Sequence, residues 1–201
     1  VAQASNYSKV SDQFGFSTSI SYHHNDGMFT NHFLNEKADK LNEGEGRIGL
    51  YWRPNTNWLI HLNSTLTLSK QNGYPYAPYD IVKDELSPIS YNRNSPYKRL
   101  ISSTGFNVRY ENGHISFNSQ TSYQFIKSHQ GLDQDFTPKD IFFTDNSYHQ
   151  NMLSQDITLK SNDKGRYQWI IGVFGMLLHS NQFAETSYYT RNFSTPTTYK
   201  N

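Results

Sequence analysis

The stretch STGFNVRYENGHISFNSQTSYQFI, residues 103–126, decides the fold. Its second half puts Ile115, Phe117, Ser119, Thr121, Tyr123 and Phe125 on one side. His114, Ser116, Asn118, Gln120, Ser122 and Gln124 fall on the other. Such period-two alternation, held for about eleven residues, is the mark of a strand with two unlike faces. The first half sets Thr104, Phe106, Val108 and Tyr110 against Ser103, Gly105, Asn107 and Arg109. Asn112-Gly113 lies between the halves and predicts a tight hairpin, with positive φ at both turn residues. A soluble hairpin alternates too. Here the run is long, and the polar side is amide and hydroxyl with few charges. Strands of about nine to eleven residues suit a tilted crossing of a bilayer.

The same alternation extends along the chain. Residues 14–24 place Phe14, Phe16, Thr18, Ile20 and Tyr22 opposite Gly15, Ser17, Ser19, Ser21 and His23. Residues 47–53, 58–69, 151–161 and 166–179 read as further strands. Residues 1–13 are polar and read as a loop. The tail from Ser180 is polar, with room for the start of another strand. The expected architecture is all-β, an antiparallel up-and-down meander of about seven strands. In residues 166–179 both faces are apolar, Trp169/Ile171/Val173 and Ile170/Phe174/Met176, so the inner one is expected to meet another part of the protein.

Composition narrows the function classes. The 201 residues are 15% aromatic, with mean hydropathy −0.78 and net charge +1. No run of about eighteen apolar residues occurs, so a transmembrane helix is not expected, but strands leave no such run. The near-neutral charge gives no argument for nucleic acid. There are 0 cysteines, so neither disulfides nor thiolate metal sites are available. Val1-Ala2-Gln3 does not read as a signal peptide. The chain reads as an internal piece of something larger.

Connections alternate in length. Those at Pro54, Asn112 and Asn162 are tight. Those around Asn35, Pro78 and Thr137 are expected to run to roughly twenty or thirty residues, as outside loops of an outer-membrane barrel do. Trp52, Trp58, Tyr110, Tyr167 and Trp169 lie beside the tight turns and predict an aromatic girdle at one membrane interface. Tyr22, Tyr123 and Phe125 mark the opposite one. Arg47, Arg109, Asp156 and Lys160 all fall on polar faces, as a lipid-facing charge near the midplane would cost roughly 2–4 kcal/mol. Gln155 is the polar exception on an apolar face.

Several stretches resemble the TonB-dependent receptors of Gram-negative outer membranes. They are Asp26-Gly27-Met28-Phe29-Thr30-Asn31, Arg47-Ile48-Gly49-Leu50-Tyr51-Trp52-Arg53-Pro54 and Leu132-Asp133-Gln134-Asp135-Phe136-Thr137-Pro138. Leu153-Ser154-Gln155-Asp156-Ile157-Thr158-Leu159-Lys160-Ser161 and Tyr167-Gln168-Trp169-Ile170-Ile171-Gly172-Val173-Phe174 look like that family's paired strands, with Asp156 where Glu is more usual. The resemblance implies a 22-stranded transmembrane β-barrel closed by a plug, of which this chain would supply one barrel segment without plug or coupling box. It implies active import of a scarce ligand such as a ferric siderophore, with outer-membrane lipid and the TonB complex as partners, the latter through parts of the parent outside this chain. A passive porin-like or structural barrel and a soluble β-rich binding module are the alternatives.

No enzymatic chemistry is expected: no nucleophile elbow or phosphate loop is present. No cofactor or metal is expected either. His23-His24 with Asp26 could suggest a metal, but adjacent strand residues point to opposite faces. Asp133 and Asp135 read as a solvated loop more than as a calcium site. The binding candidates are Tyr74, Tyr76, Tyr79, Tyr91 and Arg93 in the second long loop, where aromatics and a guanidinium suit stacking on a small molecule. The same tyrosines could instead pack the loop against itself or join the outer girdle.

Overall fold

The computed structural model describes residues 1–163 and 167–189, and the backbone of 197–200. Among these residues there is no helix. The strands are β1 (Ala2–Lys9), β2 (Phe14–Asn25), β3 (Thr30–Asn31), β4 (Glu36–Lys37), β5 (Leu41–Trp52) and β6 (Trp58–Gln71). They continue as β7 (Tyr79–Asp80), β8 (Glu85–Leu86), β9 (Tyr97–Glu111), β10 (Ile115–Asp133), β11 (Phe142–Ser161), β12 (Ile170–Tyr188) and β13 (Thr197–Lys200). One nine-stranded sheet runs β1-β2-β5-β6-β9-β10-β11-β12-β13, each strand antiparallel to its neighbours. Small hairpins, β3–β4 and β7–β8, sit within the first two long connections. The fold is therefore all-β, an up-and-down meander.

Register sorts the side chains as alternation requires. Phe16, Leu50, Leu62, Phe106 and Thr121 are successive cross-strand partners on the apolar face. Ser17, Gly49, Asn63, Gly105, Ser122 and Ser154 form a row on the polar one. Amides bridge strands there: Asn107 Nδ2 donates to Asn118 Oδ1 at 2.9 Å and Gln124 Nε2 to Ser103 Oγ at 3.1 Å. Gly105 leaves room for this network, since a Cβ would lie 2.5 Å from Asn63 Oδ1. Arg47, Arg109, Asp156 and Lys160 pair with Thr65, Asn118, Gln120 and Ser116, all on the polar face. Gln155, the exception, is satisfied locally: Thr121 Oγ1 donates to its Oε1 at 2.5 Å and its Nε2 donates to Ser119 Oγ at 2.9 Å.

Several expectations need correction. Residues 1–13 are not a loop: Ala2–Lys9 pairs with β2 in full register. The sheet has nine strands rather than about seven. Strands also overrun their expected ends. β10, β11 and β12 reach 19, 20 and 19 residues, so the connection around Thr137 shrinks to the span between Asp133 and Phe142. The Asn112-Gly113 turn takes no positive φ. Instead Asn112 Oδ1 accepts the amides of His114 and Ile115, each at 2.8 Å, and closes a wider Asx-type turn. A part of the expected turn at 162–165 lies outside the described residues.

Very little of the sheet is buried. Among the described residues the largest fully buried side chains are Tyr91, Asn31 and Asp133, all at the rim that carries the long connections. The core of this chain is therefore the packing of its loops. Ile170, Phe174 and Met176 on the inner face of β12 stand exposed, with no described element over them.

Candidate functional site

The aromatic residues beside the short turns converge on one rim. Trp58 and Tyr110 are cross-strand partners with ring centroids 4.8 Å apart. Trp52 lies one strand away, opposite Ile60 and Phe14. Trp169 is tied to Ser161, its amide donating to Ser161 Oγ at 2.9 Å. Trp52, Trp58, Tyr167 and Trp169 are all exposed. At the other end of the apolar face Tyr22 Oη donates to Asn42 Oδ1 at 2.8 Å and Tyr123 Oη to Asn151 Oδ1 at 2.7 Å. Each ring thus lies on the apolar face with its hydroxyl hydrogen-bonded to an asparagine of the next strand.

The opposite rim is a cap built from residues 26–40, 72–96 and 134–141. Asn31 is its first node. Its Nδ2 donates to Tyr91 O at 2.9 Å and its Oδ1 accepts the amides of Phe33 and Leu34. Asn72 joins the first two loops, donating from Nδ2 to Lys37 O at 3.0 Å and from its backbone to Lys40 O at 2.9 Å. Gly73 follows at φ +116, where a Cβ would lie 2.2 Å from Ser95 O, so this close approach requires glycine. Asp39 accepts the amides of Met28 and Phe29. Its partial burial raises the carboxyl's pKa, but these amides outweigh that and hold it below its ordinary value.

Asp133 ends β10 and is 1% exposed. Its Oδ2 accepts the amides of Asn92 and Arg93, each at 3.1 Å. Its Oδ1 is buried with no partner among the described residues. Burial pushes this carboxyl up to about 6, against the pull of those amides. Asp135 accepts the amide and hydroxyl of Thr137 at 2.9 and 2.6 Å, and the amides of Ile141 and Phe142. Both aspartates hold loop backbone in place, which corrects the expectation of a solvated loop. Between Asp135 and Thr137, Phe136 is held at φ 53, a strained value for a residue with a side chain.

The five candidate binding residues divide. Tyr91 is 1% exposed and serves as packing, with its phenol pushed up by burial. Arg93 is a clamp: Nε and Nη2 meet the Asp140 carboxylate at 2.8 and 2.9 Å, and Nη1 donates to Tyr189 Oη at 2.9 Å. Its guanidinium also lies 4.0 Å over the Tyr189 ring. Tyr79 bonds Asp84 within the β7–β8 hairpin. Tyr74 and Tyr76 remain exposed and extend into an aromatic series that the sequence reading did not assemble. Tyr97 to Tyr74 is 6.5 Å, Tyr74 to Tyr76 5.6 Å and Tyr76 to Phe136 5.1 Å, centroid to centroid. Beside Phe136 opens a cavity of about 490 Å³ lined also by His32, Pro78, Pro88 and Thr137, where the three loops meet. Nothing local in the sequence marks the loop of Phe136 as a neighbour of residues 74–76.

His24 is held by Asn42 and Asp26, through Nδ1 at 2.8 Å and Nε2 at 2.9 Å. These bonds raise its pKa, that to Asn42 the more. His23 pairs with Glu43 on the opposite parity of β2.

No family model matches the chain. Its fold is similar to that of the ferric yersiniabactin uptake receptor FyuA from Yersinia pestis, with a TM-score of 0.72 and 13% sequence identity. The match covers 96% of this chain and 30% of that receptor. At this identity the likeness is one of fold: the sheet corresponds to a segment of a barrel receptor. The chain spans under a third of that receptor's length.

Proposed function

We propose that this chain is one barrel segment of a TonB-dependent outer-membrane receptor that imports a scarce small molecule, such as a ferric chelate. The observation that carries the reading is the asymmetry of the two rims. One is a girdle of Trp and Tyr beside short turns; the other is a cap of interlocked loops that presents Tyr97, Tyr74, Tyr76 and Phe136 as one aromatic series. A girdle is what a membrane interface selects. A concave, largely apolar site with a few fixed polar groups is what a small ligand needs. Tyr74 and Tyr76 are exposed and Tyr97 and Phe136 half-buried, and rings at this spacing suit stacking against a flat or aromatic ligand, with a cation at hand from Arg99, which lies 5.8 Å from the Tyr97 ring. Transport here requires no covalent chemistry from these residues. The partners would be outer-membrane lipid, the imported molecule, and an energising TonB complex that engages other parts of the parent.

The test is uptake by the intact parent barrel carrying Tyr74→Ala, Tyr76→Ala and Phe136→Ala together. Uptake of a ferric chelate should fall at least about tenfold while assembly is unchanged, because stacked rings are worth about 0.5–1.5 kcal/mol each beyond their burial. Equal uptake would remove the aromatic series from the site. A parent that passes solutes down a gradient without energy input would instead establish the passive barrel.

A further inference from the structure

At its short-turn end the polar face of the sheet brings two cross-strand rows together. One runs Leu59, Arg109, Asn118, Thr158 and Gly172, and the next Glu111, Ser116, Lys160 and Ile170. Arg109 on β9 and Lys160 on β11 therefore stand on either side of β10. Two strand spacings separate them sideways, about 10 Å, which two long side chains can close over the middle strand. A cavity of about 360 Å³ opens there, lined by Arg109, Asn118, Lys160 and Ile170 among others, with Glu111 also bordering it. It lies at the other end of the sheet from Tyr74, Tyr76 and Phe136.

Cations elsewhere on this face have partners. Arg47 meets Glu45 at 3.3 Å and Lys9 meets Asp12 at 2.6 Å. Among the described residues neither Arg109 nor Lys160 has a carboxylate within ion-pair distance, and Glu111, across from Ser116, pairs with neither. Asp156, one row further in, accepts from Thr158 Oγ1 at 3.2 Å. Two unmatched cations beside a neutral amide and hydroxyl in a concavity favour an incoming anion. Ile170 supplies the unlike half of the cavity. It is 69% exposed on a face made mostly of amides and hydroxyls, and Phe174 and Met176 continue it as an exposed apolar stripe along β12. The stripe meets a cation at the Lys160–Ile170 pair.

We propose that this corner binds an organic carboxylate with an apolar body, the carboxylate on Arg109 and Lys160 and the body against Ile170. The guanidinium fork matches a carboxylate in two-point geometry, and the ammonium adds a point charge. Asn118 gives a neutral donor between them. An apolar wall with a few convergent polar groups is the ordinary form of a small-molecule site. The site is separate from the aromatic series in the cap, and only its role in transport rests on the import reading. On that reading it is the last station on the inner wall before the short-turn side. Charged groups at such a point select cargo by sign, so the imported molecule carries a carboxylate and an apolar part.

The test is calorimetric titration of the intact parent in detergent at low ionic strength, with naphthalene-2-carboxylate as the probe. The wild type should bind it, more weakly as salt rises. Arg109→Gln/Lys160→Gln should weaken binding at least about tenfold, since two charge-assisted hydrogen bonds are lost. Ile170→Asn, which keeps both cations, should weaken it too. To the wild type, acetate, which lacks the body, and naphthalene-2-methanol, which lacks the charge, should each bind at least about tenfold more weakly. Heat-modifiable gel mobility confirms assembly, and if the double variant fails to assemble the two control ligands decide. Equal affinity in the assembled double variant, equal affinity for the alcohol, or no binding of the probe by the assembled wild type would overturn the proposal. Uptake of a ferric chelate is read separately. A parent that binds the probe as expected yet imports nothing supports the site and overturns the import reading, whereas one that imports without binding the probe does the reverse.

Discussion

The guanidinium of Arg93 meets the carboxylate of Asp140 through two parallel contacts, Nε to Oδ1 at 2.8 Å and Nη2 to Oδ2 at 2.9 Å. This pair fastens residues 72–96 to residues 134–141, and Tyr189 beneath the guanidinium adds the end of β12. A bidentate pair is geometrically exacting in a way a single ammonium cannot reproduce. Both side chains are partly exposed, so the pair itself is worth about 1 kcal/mol at most. Arg93→Ala and Arg93→Lys should both leave barrel assembly intact and hasten proteolytic cleavage within residues 134–141, Ala the more. Asp140→Asn should do the same, and the double variant should be no worse than Arg93→Ala alone. Cleavage rates unchanged in all of them would show that the clamp does not hold the loops.

Asp133 gives the cap a dependence on pH. In the unfolded loop its carboxyl titrates near 3.8, and in the cap burial raises it to about 6. The cap therefore binds more protons than the unlocked loop between those values, and its stability falls as pH rises through that window. The contribution of the protonated form is complete below about 3.8 and gone above about 6. Hydrogen-exchange protection of the Asn92 and Arg93 amides should thus be greater at pH 5 than at pH 7.5. Asp133→Asn keeps an oxygen for both amides and places an uncharged group where Oδ1 now lies without a partner. It should flatten the profile and protect the loop at least as well at pH 7.5. A variant with the wild-type pH slope would assign the titration to another group.

The faces of the sheet make a further prediction for the intact barrel. Thr121 lies mid-strand on the apolar face, between Phe106 and Gln155, whereas Gln124 lies on the polar face beside Ser103 and Met152. Thr121→Arg should impair assembly in the membrane, at about 2–4 kcal/mol for a charge near the midplane. Gln124→Arg should not, and Ile115→Arg, close to the girdle, should fall between. Heat-modifiable gel mobility measures assembly directly. Equal loss for Thr121→Arg and Gln124→Arg would contradict the facing of every strand.

What the sequence made legible follows the same faces. Residues 103–126 announce two strands because apolar side chains alternate with polar ones, and the register agrees at each paired position on either side of the turn. Beyond Phe125 the signal stops: Lys127, Ser128, His129 and Gln130 are polar on both sides. The backbone nonetheless keeps pairing to Asp133, since ladder hydrogen bonds do not depend on which side chains flank them. Ala2–Lys9 escaped for the same reason, with small and polar residues on both parities. The site was legible by composition and not by geometry. Tyr and Arg crowd residues 72–97, but nothing local tells Tyr91, which is buried, from Tyr76, which is exposed. That distinction comes from Asn31 and Asp133, which lie far away in the chain.

Orientation is the prediction on which the others hang. The β7–β8 hairpin presents Val82 at 95% exposure, on the rim of the loop cap. Asn55 lies in the tight turn between β5 and β6, on the rim of Trp52 and Trp58. Both sites are open, and the chain has 0 cysteines of its own, so a single introduced thiol gives an unambiguous label. In whole cells expressing the parent barrel, Val82→Cys should react with a thiol reagent too large to cross the outer membrane. Asn55→Cys should react only after that membrane is permeabilised. The physical reason is that long, mutually packed loops are tolerated and useful where ligands arrive, whereas short turns suffice on the side where the chain merely reverses. The opposite pattern would invert the assignment of both rims and put the aromatic series of Tyr74, Tyr76 and Phe136 in the periplasm.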